Sequence, residues 1–294
     1  MDSLFNKVLI TGASGFTGKY LTKYLEEKQF FVYGLSNELN DDSTLLKCDI
    51  TDKDSIVRII NEIKPNYIIH LAAISFVQHN DVQEIYNVNV LGTENLLEAC
   101  KSFDFIKKVI LASSATIYGN QSLDTYHEAL CPNPINHYGI SKYAMEQIAK
   151  NYFQIVPIII VRPFNYTAPG QSINFIIPKI ADAFKYKRAN IELGNLNTYR
   201  EYNSIEFICN AYYELLVSDV KSEIFNLASG TTHSLNEILA IFYEFTQHKL
   251  NISINSKFVR KNEIAKLAGN AKKLNALFTN KSDNDIRSII KSFL

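Results

Sequence analysis

The sequence predicts an α/β protein, a doubly wound parallel sheet covered by helices on both faces and followed by a smaller C-terminal domain. Three observations predict it. Short β-branched apolar runs alternate with longer amphipathic stretches through the first half of the chain. A glycine-rich turn lies directly between the first such run and the first helical stretch. The alternation loosens after about residue 164, where Gly, Pro and Asn cluster. With 294 residues, 47% of them hydrophobic and 20% charged, the chain has two domains' worth of length and ordinary globular composition.

Residues 7–10 form the first apolar run, stopped by Thr11-Gly12. Residues 18–27 have helical spacing, with Tyr20, Leu21, Tyr24 and Leu25 on one side. Residues 30–35 are the second run and 55–63 the second helical stretch. Runs at 67–71, 108–112 and 157–161 continue the series, separated by helical stretches over 81–102 and 138–152. Buried strands joined by helices make right-handed βαβ units. The first domain is expected over 1–165, with later segments near 204–227 returning to it, among them a strand at 223–227. Residues 166–294 read as the mainly helical second domain, with helices near 178–186 and 204–217 and one or two short strands.

Charge and composition exclude several classes. Lys+Arg and Asp+Glu number 30 each, so no overall field attracts nucleic acid or an anionic membrane, and neither is an expected partner. The longest apolar run, 155–161, is too short to span a bilayer, and the N-terminal residues lack the pattern of a signal peptide. Cys48, Cys100, Cys131 and Cys209 are widely spaced, with no C-x-x-C, which suits reduced thiols and a cytoplasmic location. His79 and His137 lack metal-ligand spacing, so no metal is expected, and His70 on its apolar strand reads as a satisfied core histidine.

The glycine turn is Thr11-Gly12-Ala13-Ser14-Gly15-Phe16-Thr17-Gly18. Glycines there permit a tight turn and close backbone approach to a pyrophosphate seated on the helix N-terminus, so a dinucleotide site is expected. Sites that prefer NAD usually carry an acid at the end of the second strand. Here that strand ends Gly34-Leu35-Ser36-Asn37. Ser36 in the acid's place favours NADP(H) over NAD(H), although Glu38 follows closely and no Arg or Lys stands nearby.

Further on, Tyr138 and Lys142 are four residues apart in Tyr138-Gly139-Ile140-Ser141-Lys142 and fall on one helix face. An ammonium beside a phenol favours the phenolate and makes tyrosine a workable acid-base. Upstream, Ser113-Ser114-Ala115-Thr116-Ile117-Tyr118-Gly119 closes a parallel strand at its carboxyl end, where open α/β sheets bind ligands. Ser114 can donate a hydrogen bond there to a carbonyl oxygen becoming an alkoxide.

Together with Cys48-Asp49-Ile50-Thr51-Asp52, His70-Leu71-Ala72-Ala73 and Asn87-Val88-Asn89-Val90-Leu91-Gly92-Thr93, these motifs resemble the extended short-chain dehydrogenase/reductase superfamily, in the branch that acts on nucleotide sugars. The resemblance covers about residues 6–230 and implies a Rossmann-like first domain. It implies that Gly12, Ser14, Gly15, Phe16, Thr17, Gly18 and Ser36 hold the cofactor's phosphates and ribose. Asp49 and Ile50 would contact the adenine, Leu71, Ala72 and Ala73 would line the cofactor, and Asn89 would support the site. Ser114, Tyr138 and Lys142 would be the catalytic set, the last two also touching the cofactor. Helices over 81–102 and 138–152 would pair across a two-fold axis in a homodimer.

The string Arg162-Pro163-Phe164-Asn165-Tyr166-Thr167-Ala168-Pro169-Gly170-Gln171, with Asn174-Phe175 and Arg200, is similar to reductases of 4-keto-6-deoxy nucleotide sugars, the GDP-linked ones foremost. That likeness makes Ser75, Asn165 and Arg200 ligands of a nucleotide-sugar substrate bound by the C-terminal domain. Tyr166 replaces the usual His, Ala168 the usual Gly, and the R-D-F-x-D-V segment reads Arg200-Glu201-Tyr202-Asn203-Ser204-Ile205. Dehydratases of this type carry an Asp-Glu pair after the catalytic Ser or Thr. Ala115-Thr116 stands there, which leaves no acid-base pair for dehydration. Reduction at C4 is favoured over 4-epimerisation with tightly bound NAD. A non-catalytic dinucleotide-binding regulator is the remaining alternative, and it has no need of Ser114, Tyr138 and Lys142 together.

Overall fold

The computed structural model describes residues 6–37, 45–75, 81–258, 264–278 and 283–294; Glu38 and His79 lie outside the described residues. Six strands follow one another in the first part of the chain: β1 (Lys7–Thr11), β2 (Phe31–Ser36), β3 (Leu45–Lys47), β4 (Tyr67–His70), β5 (Lys108–Ala112) and β6 (Ile158–Pro163). With the strand Glu223–Leu227 they form a seven-stranded sheet in the order Glu223–Leu227, β6, β5, β4, β1, β2, β3. Every pairing from β3 through β6 is parallel, with Ile10 opposite Gly34 and Ile69, and Ile110 opposite Ile159. Residues Val8, Leu9 and Ile10 of β1, Ile68 and Ile69 of β4, and Ile158 to Val161 of β6 are all fully buried. Continuous apolar strands of this kind belong in a sheet covered on both faces.

The helices between these strands are α1 (Phe16–Glu27), α2 (Lys53–Ile63), α3 (Val82–Tyr86), α4 (Gly92–Cys100) and α5 (His137–Lys150). Asp52, Asp81 and Asn136 cap α2, α3 and α5 by accepting a first-turn N–H. The stretch 81–102, which the spacing predicts as helix, is not uniform. A π turn, Asn87–Leu91, separates α3 from α4. The extra residue per turn is invisible to a 3.6-residue period, and such turns are frequent at functional sites. One core cluster under these helices joins Leu9, Ile56, Ile60, Leu96, Val109, Met145 and Ile158.

The chain forms two compact units: residues 1–119, 132–162 and 211–225 make the first, and residues 120–131, 163–210 and 226–294 the second. The second unit holds more strand than the sequence predicts. Tyr166–Thr167 pairs with Asn203–Ser204, Asn190–Leu193 with Asn251–Ile254, and Tyr199–Arg200 lies between His233–Ser234 and Lys266–Leu267. Strands of two residues carry no period to read. Its core packs Ile177, Ile180, Phe184, Leu193, Leu235, Ile238 and Phe242.

A buried ion pair lies in the first unit. Arg162 Nε and an Nη donate to the two carboxylate oxygens of Glu146 at 2.9 and 2.7 Å, and its other Nη donates to Tyr118 Oη at 2.9 Å. Arg162 is 2% exposed and Glu146 fully buried, so removing one partner strands the other charge away from water. Arg162→Met is expected to lower the free energy of unfolding by about 3–5 kcal/mol, measured by urea titration. Arg162→Met with Glu146→Leu should recover most of that loss, because two apolar side chains leave no charge behind.

Candidate active site

The carboxyl ends of the strands converge on one edge of the sheet. The chain winds outward from β1 through β2 and β3 on one side, and from β4 through β5 and β6 on the other. The crevice between β1 and β4 is therefore the topological switch point, where open α/β sheets bind their ligands. The turn of residues 12–15 leaves β1 there. Gly12 has φ +70°, and a Cβ on it would lie 2.8 Å from Ala72 N. A Cβ on Gly18 would lie 2.5 Å from Gly12 O and 2.6 Å from Ala13 Cα, so α1 approaches the turn as only glycine allows.

Helix α1 starts at N-cap Gly15 with no side-chain cap and no acid in its first turn. This backbone cradle, closed to any Cβ and headed by an uncapped helix N-terminus, fits the pyrophosphate of a dinucleotide. Ser14, in the same turn, places its Oγ 2.9 Å from Ser36 Oγ at the end of β2, and Ser36 is buried. Phe16 and Thr17 are the first two residues of α1. Asp49 is exposed and its Oδ1 accepts from the N–H and hydroxyl of Thr51 at 2.8 and 2.7 Å, while Ile50 is buried. Leu71, Ala72, Ala73 and Ile74 are half-buried beyond β4, and Ser75 is exposed.

Behind these residues runs a buried polar chain whose proton directions follow from counting donors. Thr93 Oγ1 donates its one proton to Asn89 O at 2.8 Å, so it accepts from His70 Nε2–H at 2.9 Å. His70 Nδ1 then accepts from Thr11 Oγ1 at 2.7 Å, and Thr11 in turn accepts from Ala72 N–H at 3.1 Å. The Asn89 side chain grips Ile74 through N–H and C=O at 2.8 and 3.1 Å, and donates to Ser141 Oγ at 3.0 Å. Ser141 closes the chain by donating to Tyr138 O at 2.8 Å. Asn89 reaches inward from the π turn, and His70 is a satisfied core histidine.

At the end of β5, Ser113 and Ser114 are both buried, and Ser113 Oγ has no hydrogen-bond partner among the described residues. Tyr138 and Lys142 stand one turn apart on α5. Lys142 is 2% exposed and donates to Ala112 O at 2.7 Å. Burial holds its ammonium pKa down at about 8, with Glu146 one turn further on opposing the fall. The unit thus brings the glycine turn, Ser36, residues 71–75, Asn89, Ser114, Tyr138 and Lys142 to one edge of the sheet. Asn165 and Arg200 belong to the second unit. Asn165 is exposed, its carbonyl accepting from Asn203 N–H at 2.9 Å, and Arg200 donates to Tyr199 O at 2.8 Å. Beside Arg200, the buried Glu201 carboxylate accepts from the N–H groups of Ser229, Gly230 and Gly269 and from the Asn203 amide.

Sequence reasoning did not single out Thr11, Thr93, Ser141 or the Arg162–Glu146 pair. One signal was readable: Tyr138, Lys142 and Glu146 repeat at four-residue intervals on one face of α5. Among the described residues no group of three or more His, Cys, Asp or Glu could hold a metal ion.

A switch-point crevice with a glycine cradle, and Ser, Tyr and Lys at its strand and helix ends, define an extended short-chain dehydrogenase/reductase. The chain belongs to the GDP-mannose 4,6 dehydratase family, whose pattern matches residues 9–293. It is 38% identical over 288 residues to GDP-6-deoxy-D-talose 4-dehydrogenase of Aggregatibacter actinomycetemcomitans, covering 97% of this chain and 96% of that one. It is 27% identical over 303 residues to GDP-6-deoxy-D-mannose reductase of Pseudomonas aeruginosa, covering 98% and 96%. The solved structure of RMD from Pseudomonas aeruginosa complexed with NADPH matches with a TM-score of 0.85 at 26% identity, over 99% of this chain and 96% of that one. The chain is an enzyme of the oxidoreductase class.

Burial depresses the pKa of His70 from 6.5 to about 3, with the Lys142 charge adding to the fall. The unfolded chain therefore binds a proton on this ring between those values while the folded chain does not, so stability is full above pH 6.5 and is lost as pH falls toward 3. The melting temperature of the wild type should drop more steeply below pH 6.5 than that of His70→Gln. Parallel curves would show that His70 takes up its proton without unfolding.

Proposed function

We propose that the chain reduces the 4-keto group of a GDP-linked 4-keto-6-deoxyhexose with NADPH, in deoxysugar biosynthesis. The observation that carries this reading is the placement of Ser114, Tyr138 and Lys142 at the switch-point crevice with Ala115-Thr116, not an acid pair, after Ser114. The two relatives named above support it: one is named a 4-dehydrogenase and the other a reductase, each of a GDP-linked 6-deoxy sugar. Preference for NADPH is supported by the Ser14–Ser36 hydroxyl pair where an NAD site carries a carboxylate, and by the NADPH bound in the Pseudomonas structure.

When bound, the nicotinamide ring supplies hydride to sugar C4. Tyr138 donates its phenolic proton to O4 as negative charge develops there, and Ser114 donates a second hydrogen bond to the same oxygen. Lys142, the buried cation on Tyr138's face of α5, stabilises the phenolate left behind and holds the nicotinamide ribose. The glycine turn and Ser36 hold the phosphates and adenosine ribose, Asp49 and Ile50 the adenine, and Leu71, Ala72 and Ala73 the ring face. Asn165 and Arg200 of the second unit would supply an amide and a cation to the substrate's diphosphate, and Ser75 of the first unit would be a further substrate ligand. The buried thiols of Cys48, Cys100 and Cys209 form no disulfide, which supports a reducing, cytoplasmic setting.

The direct test is NADPH consumption by purified protein given GDP-4-keto-6-deoxy-D-mannose, with NMR of the product deciding the C4 configuration. Interconversion of 4-hydroxyl epimers without net NADPH use would make the enzyme an epimerase. Tyr138→Phe should lower kcat by about 10²–10⁴-fold with little change in NADPH affinity. Lys142→Ala should damage both, and Ser114→Ala should cost about 10²-fold in kcat. Turnover of Tyr138→Phe near wild type would overturn the mechanism.

We also place the chain in a homodimer. Val82 of α3, Leu91 of the π turn and Ile140 of α5 are 38%, 50% and 39% exposed, apolar side chains on elements that pack side by side. Light scattering should report a dimer that Ile140→Glu converts to monomer; a wild-type monomer at working concentration would refute this.

A further inference from the structure

Ser114 is oriented by one neighbour. Thr116 donates to Ser114 Oγ twice, through its backbone N–H at 3.2 Å and its own hydroxyl at 2.9 Å. A serine hydroxyl has two acceptor sites and one proton. Both acceptor sites are taken by Thr116, so the proton is what Ser114 has left to offer a third group. Toward a third group Ser114 is left able to donate and not to accept.

The turn that carries Thr116 is fixed from two sides. The 3₁₀ segment Ala115–Tyr118 begins at Ser114 as its N-cap. At its far end Gly119 has φ +62°, and a Cβ there would lie 1.8 Å from Asn133 O. Asn133 N–H donates to Ile117 O at 2.9 Å, tying residues 132–136 to the turn. On the other side the turn meets the start of α5: a Cβ on Gly139 would lie 3.1 Å from Thr116 O, and Gly139 directly follows Tyr138. Thr116 thus touches Ser114 with its side chain and the first turn of α5 with its backbone.

We propose that Thr116 is a positioning residue that makes Ser114 an obligate hydrogen-bond donor toward the oxygen of the reacting carbonyl. The inference rests on the reading of Ser114 given under the proposed function. A lone serine hydroxyl rotates and presents a lone pair to a neighbouring oxygen part of the time, which repels the charge that forms there. With Thr116 in place the hydroxyl is aimed before the reaction starts, and its bond strengthens as the carbonyl oxygen gains charge. Cooperative polarisation adds to this, because a hydroxyl that accepts hydrogen bonds becomes a stronger donor.

The test is a double-mutant cycle. Thr116→Val keeps the shape and the backbone N–H but removes the hydroxyl donor; Thr116→Ser keeps the donor. Both are made in wild-type and Ser114→Ala backgrounds and assayed with NADPH and GDP-4-keto-6-deoxy-D-mannose for kcat and KM, alongside melting temperature and GDP affinity by calorimetry. Thr116→Val is expected to lower kcat by about 5- to 10-fold, the scale of one hydrogen bond, with KM, GDP affinity and melting temperature near wild type. Thr116→Ser should recover most of the loss, and Thr116→Val should add nothing once Ser114 is Ala. Wild-type turnover by Thr116→Val overturns the inference, as does an equal loss in both Ser114 backgrounds, since Thr116 would then act other than through Ser114. If Thr116→Val behaves as wild type while Tyr138→Phe and Ser114→Ala lose activity, this inference fails alone. If Tyr138→Phe keeps turnover, the reading of the site fails with it.

Discussion

The hydroxyl of Thr11 ties the last residue of β1 to the last residue of β4 and to the loop beyond it. It donates to His70 and accepts from Ala72, and the direction of the first bond is set at the other end of the histidine, where Nε2–H donates to Thr93. Buried polar atoms in a sheet core must find partners, and one proton per hydroxyl leaves a single consistent assignment. From this knot the network passes through Asn89 and Ser141 to the backbone of Tyr138. The glycine turn, the residues lining the crevice and the first turn of α5 are therefore parts of one hydrogen-bonded frame. An apolar residue at position 70 would break the frame in two, and burial of His70 keeps the ring neutral so that it does not break by protonation in ordinary buffers.

Much of this was legible in the amino-acid order because it rests on local chemistry. The strands of the first unit are short β-branched runs, the glycine turn lies at its expected junction, and Tyr138 and Lys142 announce their shared face by spacing alone. The seven-stranded sheet and its strand Glu223–Leu227 follow from the same pattern. What was not legible depends on proximity created by folding. Asn89 turns inward through a π turn, and nothing in a 3.6-residue period signals five residues wound more widely. Arg162 and Glu146 are sixteen residues apart, and only the sheet's closing over α5 makes them a pair. The small sheets of the second unit consist largely of two-residue strands, too short for alternation to register. Thr116 was readable only as the absence of an acid; its bond to Ser114 is a property of the 3₁₀ turn.

The roles of glycine in the site show the same division. Gly12 and Gly18 stand in a recognisable motif, but the reason each must be glycine is a backbone contact, with Ala72 in one case and with Gly12 and Ala13 in the other. Gly139 lies inside the Tyr–Lys motif and looks like filler in sequence. Its lack of a side chain lets the carbonyl of Thr116 sit against α5, which sets Ser114 and Tyr138 on adjoining elements.

The two units are woven from alternating segments, and the chain passes between them five times, at 119/120, 131/132, 162/163, 210/211 and 225/226. This has a consequence for synthesis. The sheet of the first unit is not complete until the strand Glu223–Leu227 arrives, so a ribosome must emit more than three quarters of the 294 residues before the first unit can close. Until then β6 is an exposed sheet edge of fully buried-type residues, Ile158 to Val161, on a nascent chain. Folding that elsewhere proceeds domain by domain from the N-terminus is here held back until the strand Glu223–Leu227 has been made. Gene fusions or truncations that treat either unit as a contiguous module would cut both.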